Sequence, residues 1–179
     1  MRVFRLVLSV TTAVAALSLS GCGGTTRPAP RSASFALPSV AASAALAPAV
    51  YMQLASSSSL FAIRASEIAA ERSANINTRS AAQSIIRDQG GVASQLSFAG
   101  RRIELLPSAS LSAEQSAELD RLRASANFDS DYRRAVGGAL SRAYDAHRAF
   151  AQSGSSPTLI PVARMAAPVT KKNLDSLGR

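Results

Sequence analysis

Residues 128–150 read FDSDYRRAVGGALSRAYDAHRAF. Within them Tyr132, Val136, Leu140, Ala143, His147 and Phe150 recur every three or four positions. That spacing is one face of an α-helix, and it has none of the period-two alternation a half-buried strand would show. Asp129 is placed to cap the helix and Gly154 to end it. Asp145 points to the opposite face, and the interspersed arginines read as solvated positions.

Working outward from this helix, the pattern repeats on both sides. Upstream, Leu106-Pro107 breaks the chain. Ser112 and Gln115 then form a capping-box pair for a short helix carrying Leu119 and Leu122. Before that break, Ala82, Ile85, Gln89, Val92 and Leu96 form the stripe of a long helix. It starts near Asn75 or Asn77 and ends at Gly100. A first helix is predicted over Val50–Ser73, with Leu54, Phe61, Ala65, Ile68 and Arg72 on its stripe and Glu67 pointing away.

Downstream, Ser156-Pro157 is a cap followed by a first-turn proline. Val162, Ala166, Val169 and Asn173 share one face of the last helix, which Pro161 and Pro168 should kink. Four long helices, one short helix in a connection long enough to cross the bundle, and no strand pattern predict an all-α four-helix bundle over residues 49–179. The hydrophobic fraction is 47 %, much of it alanine, so the helices should approach one another closely.

The N-terminal part has a different character. Arg2 and Arg5 precede an apolar stretch from Leu6 to Leu19, as in a secretory signal. The stretch runs into Leu19-Ser20-Gly21-Cys22, which resembles the bacterial lipobox, in which cleavage precedes a cysteine that carries diacylglycerol. Cys22 is the only cysteine, so it has no partner for an internal disulfide. Residues 1–21 are therefore read as a lipoprotein signal peptide and Cys22 as the lipid attachment site. An uncleaved span would need about 20 apolar residues, and this run is shorter. Gly23 follows the cysteine where Gram-negative lipoproteins retained in the inner membrane carry Asp. By that resemblance the anchor is expected in the outer membrane, with the body in the periplasm. Residues 22–48 hold Pro28, Pro30, Pro38 and Pro48 among Ala, Ser, Gly and Thr, and read as a tether.

The formal charge is +9, or +7 without Arg2 and Arg5. The arginines are scattered singly or in pairs with no interleaved aromatics, so nucleic acid is not an expected partner. An anionic envelope lipid or polymer is a further possible partner for this basic surface.

Several segments also fall in a familiar order: Tyr51-Met52-Gln53, Ser59-Leu60-Phe61, Ile86-Arg87-Asp88, Phe128-Asp129-Ser130-Asp131-Tyr132 and Ala151-Gln152-Ser153-Gly154. Over Val50 to Leu177 the chain resembles a bacterial exported ferritin-like family known as domain of unknown function 4142. The resemblance implies a ferritin-like bundle with an inward Glu in the first helix and inward histidines in the second, third and fourth long helices, suited to a metal centre. Here those positions are Ala62, Gln89, Leu140 and Asn173. Amides replace imidazoles poorly as transition-metal ligands and Leu cannot bind at all, so no metal and no cofactor are expected. Gln89 and Asn173 both lie on apolar stripes. Buried amides need partners, so the two are expected to hydrogen-bond to each other.

His147 is the only histidine and lies within an apolar stripe, with Tyr144 where a metal-binding Glu-x-x-His pair would have Glu. A single partly buried histidine makes no catalytic constellation. Glu67 and Glu71, one turn apart near Arg64, read as surface ion pairs. Ser56 to Ser59 have no base and no nucleophile elbow, and read as small packing residues. Gly90-Gly91 and Gly137-Gly138 lie inside helices, where they are expected to allow close packing. No catalytic residue is predicted. The expected function is a non-enzymatic, membrane-anchored lipoprotein that has a structural role or binds an envelope protein or small molecule. The alternative is a metal-binding or enzymatic bundle using a site near His147.

Overall fold

The computed structural model describes residues 45–178. The signal, Cys22 and nearly all of the tether lie outside them. The described chain is helical throughout its regular structure, with α1 Pro48–Arg72, α2 Ile76–Arg101, α3 Ala113–Ala124, α4 Phe128–Ser153 and α5 Ile160–Ser176. None of these helices is long and apolar enough to cross a membrane.

Helix ends follow local chemistry. Pro48 does not block α1; it stands in the first turn, where a missing N–H costs nothing. Asn75 caps α2 by accepting from the amides of Asn77 and Thr78 at 2.8 and 3.3 Å. Ser112 and Gln115 form the reciprocal capping box of α3. Gly154 ends α4, since a side chain there would run into the Phe150 ring.

Two expected caps differ. Asn127, not Asp129, precedes α4 and makes no side-chain cap. Asp129 sits in the first turn and accepts from the Ser73 hydroxyl at 2.6 Å, so it joins the start of α4 to the end of α1. The last helix starts at Ile160 because the Ser156 carbonyl closes a turn by accepting from the amides of Leu159 and Ile160. It continues through Pro168, whose ring is exposed.

α1 packs on α2 and α4, and α5 packs on α4 and α2, so α1 and α5 stand diagonally. Tyr51 near the start of α1 stacks on Phe150 near the end of α4, and Gln89 of α2 meets Asn173 of α5. Each packed pair of long helices is thus antiparallel, while α2 and α4 run the same way. The α2–α4 connection must therefore travel the length of the bundle, and α3 is the middle of that crossover. α3 covers the side of the bundle by burying Leu119 and Leu122 in a cluster with Phe61, Ile68, Phe128 and Leu140. A second apolar cluster, around Tyr51, Met52, Leu96, Phe150 and Leu159, fills the other end.

The α4 stripe is buried as expected. Two others differ in part. In α1 the expected Phe61, Ala65 and Ile68 are buried, and the buried face also takes in Tyr51, Met52, Ala55, Ser59, Ala62, Ser66 and Ala69, while Leu54 is half-buried and Arg72 exposed. In α5 the buried line runs through Ala163, Ala166, Thr170 and Asn173, while Val162 and Val169 lie at its edge. Both helices put small residues against their neighbours, which brings the backbones close. Leu54, Val162 and Val169 then fall at the seams.

Candidate functional site

Between the two apolar clusters lies a polar layer. Ser59, Gln89, Thr170 and Asn173 are all fully buried in it. The Ser59 hydroxyl donates to Oε1 of Gln89 at 3.0 Å. The Gln89 amide donates to Oδ1 of Asn173 at 3.0 Å and lies 3.4 Å from the Thr170 hydroxyl. The Asn173 amide in turn donates to Asp88 at the rim at 2.8 Å, where Lys172 also donates at 3.0 Å. Partial burial alone would raise the Asp88 carboxyl. The hydrogen bonds from Lys172 and Asn173, with the charges of Lys172 and Arg87, outweigh that and lower it. The expected Gln89–Asn173 pair is thus present, inside a larger chain that joins α1, α2 and α5.

His147 is buried without any exposed surface, more deeply than its stripe position alone implied. The Tyr51 hydroxyl lies 3.0 Å from its Nδ1. Tyr51 has no other acceptor among the described residues, so it donates to Nδ1, and the proton of the neutral ring sits on Nε2. Nε2 is buried with no partner among the described residues. Desolvation holds the imidazole down at about 4 and pushes the Tyr51 phenol up. Tyr132 is likewise pushed up to about 12 by burial, which its hydrogen bond with Ser66 at 2.8 Å only partly offsets.

Residues 35–178 match a family model described as Domain of unknown function (DUF4142). The chain belongs to this family. The match begins well before α1, inside the segment read as tether. No curated protein and no solved structure matches the chain.

The four positions at which the resemblance implied metal ligands do not fit a metal ion in this DUF4142 member. Ala62 and Leu140 are fully buried in the apolar cluster near α3. The oxygens of Gln89 and Asn173 already accept from Ser59 and from Gln89. Among the described residues no three His, Cys, Asp or Glu side chains converge. Glu67 pairs with Arg64 at 3.0 Å on the surface, as its spacing suggested, whereas Glu71 forms no ion pair among the described residues.

The serines of α1 do more than fill space. Ser56 donates to the Met52 carbonyl and accepts from the Ser108 amide at 2.8 Å; Ser57 donates to Gln115 at 3.0 Å. They fasten the crossover to α1. The glycine pairs do not serve close packing. A side chain at Gly90 or Gly91 would meet nothing, and at Gly137 or Gly138 only ordinary contacts. The close approach is at Gly100, where a side chain would strike the Leu105 carbonyl.

Thr170 was not singled out in the sequence, and Ser59 and Tyr51 were named there without their buried partners Gln89 and His147. The available signal was the demand of each buried amide or imidazole for a partner. A surface groove of about 680 Å³ lies beside the first turns of α1, lined by Val50, Leu54, Ser57, Ser108 and Leu111 among others.

Proposed function

We propose that this chain is a lipid-anchored bacterial envelope lipoprotein whose bundle has a structural or binding role and no catalysis. The observation that carries the anchor is Leu19-Ser20-Gly21-Cys22 at the end of an apolar stretch, with Cys22 the only cysteine. Two or three acyl chains there would hold the protein stably at a membrane, at about 0.8 kcal/mol per buried methylene. Gly23 after the cysteine favours the outer membrane, with the bundle in the periplasm. A bundle with one long crossover is compatible with a ferritin-like ancestry. The hydrogen-bonded amides at Gln89 and Asn173 and the apolar Ala62 and Leu140 support a bundle that has lost a metal site.

Mass analysis of the protein purified from membranes tests the anchor. A mature N-terminus at Cys22 carrying diacylglycerol is expected, as is release of Cys22→Ala into the soluble fraction. An unmodified Cys22 would overturn it. The competing reading, a metal or reaction site near His147, is favoured by an Nε2 without a partner among the described residues and opposed by its complete burial. Stoichiometric iron, zinc or manganese that is lost on His147→Ala would establish it.

A further inference from the structure

We infer that the end of the bundle where α1 begins docks on a bilayer surface bearing anionic phospholipid headgroups. That end comprises the first turns of α1 and α5, the last turns of α2 and α4, and their adjoining loops. It carries Arg101, Arg102, Arg148 and Arg164, all exposed, against Glu104 and, less than one turn below Arg148, Asp145. None of the four arginines forms an ion pair among the described residues; Arg148 lies over the Tyr144 ring. The opposite end is closer to charge balance. There Glu67, Glu71, Asp129, Asp131 and Asp175 stand among Arg72, Arg79, Arg133, Arg134, Lys171 and Lys172.

Apolar exposure is skewed the same way. Of the large exposed hydrophobic residues, Val50, Phe98, Leu106 and Met165 belong to the arginine-bearing end, and only Ile76 to the other. The shallow groove beside α1 opens at this end too. Unpaired guanidinium groups beside exposed apolar side chains match a lipid interface, where headgroup charge meets hydrocarbon. Position agrees with chemistry. Residues 45–47 lead into α1 at this end, so the chain that begins at the proposed anchor enters the bundle on the face with the matching surface. The inference rests on the anchored reading for the nearness of a membrane, but the surface itself does not depend on it.

The test uses a chain beginning at Gly23, which carries no lipid. Both apolar clusters lie within residues 45–178, so the bundle is retained, and circular dichroism verifies this. Co-sedimentation with zwitterionic vesicles and with vesicles containing anionic phosphatidylglycerol is measured at low and high salt. Binding to the anionic vesicles alone is expected, weakening about tenfold or more as salt screens the charges. R101E/R102E, and separately F98S/L106S, should weaken it by a similar factor, while I76S/R133E at the far end should not. Absence of anionic-vesicle binding, equal loss from the far-end variant, or preference for a soluble anionic polymer over vesicles would overturn the proposal. Lipid analysis of Cys22 in the native protein separates the two readings. A lipidated cysteine without vesicle binding sinks the docking surface alone, and vesicle binding with an unmodified Cys22 sinks the anchor alone.

Discussion

The Tyr51 hydroxyl donates to Nδ1 of His147 at 3.0 Å, and the other ring nitrogen of His147 is buried without a partner among the described residues. The pair is a neutral lock between α1 and α4, and it works only while the imidazole carries no second proton. Folding lowers the His147 pKa from 6.5 to about 4, so the unfolded chain takes up the proton first. The stability tied to the neutral ring is therefore complete above pH 6.5, falls as pH drops through the window, and levels off below about 4. At roughly 1.36 kcal/mol per unit the loss approaches about 3 kcal/mol. Urea unfolding between pH 7.5 and 4.5 should show this slope, and His147→Gln, which can still accept from Tyr51, should abolish it. An unchanged slope in that variant would place the titration elsewhere.

The polar layer should behave as one unit. Gln89→Leu keeps the volume but leaves the Ser59 hydroxyl and the Asn173 carbonyl buried without partners, at a cost of about 2 to 4 kcal/mol. In a Ser59→Ala/Asn173→Leu background the same change strands fewer groups and should cost less than half as much. Equal costs in the two backgrounds, measured by denaturant unfolding, would mean that these residues do not act together.

What could be read in advance follows from side-chain size. The α4 stripe was legible because Tyr132, Val136, Leu140 and Phe150 are large and their neighbours charged. In α1 Phe61 and Ile68 mark part of the buried face, but the rest of it, and that of α5, is mostly Ala, Ser and Thr, which contrast little with the exposed residues, so the bulkier Leu54 and Val169 fall beside it. Gln89 and Asn173 announced themselves as polar residues on apolar faces. Tyr51 could not be matched to His147, because the pairing spans 96 positions and depends on which helices lie side by side. The α2–α4 crossover was visible as a long connection, but the Ser56 and Ser57 contacts that fasten it appear only once α3 is laid along α1.

Glu104 is the only non-glycine residue with positive φ among the described residues, at 57°. The Leu105 amide reaches back to the Gly100 carbonyl at 3.0 Å, so Glu104 occupies the left-handed position that ends α2, where glycine is usual. Glu104→Gly should relieve the strain and stabilise the protein by about 1 kcal/mol. Glu104→Ala removes the charge but keeps the Cβ, and should not. An equal gain from both variants, seen in the unfolding midpoint, would assign the effect to the charge instead.

Arg72 closes the far end of the bundle. Its Nη1 donates to the carbonyls of Leu122 and Arg123, each at 2.6 Å, and its Nη2 donates to that of Ser125 at 3.1 Å. The guanidinium also lies 4.8 Å from the centre of the Phe128 ring. One side chain from the end of α1 thus satisfies the orphan carbonyls that end α3 and packs on the first residue of α4. A planar fork can serve several acceptors at once, whereas a lysine ammonium is a single point that cannot also stack on the ring. Arg72→Ala should cost about 1 to 3 kcal/mol, and Arg72→Lys should recover less than half of it. The loss should be local as well as global. Hydrogen exchange should rise first in the amides of α3, which is held by little besides Leu119, Leu122, Gln115 and this arginine, while α2 and α5 keep their protection. Uniform loss of protection across all five helices would show that Arg72 supports the bundle as a whole and not the seating of the crossover helix.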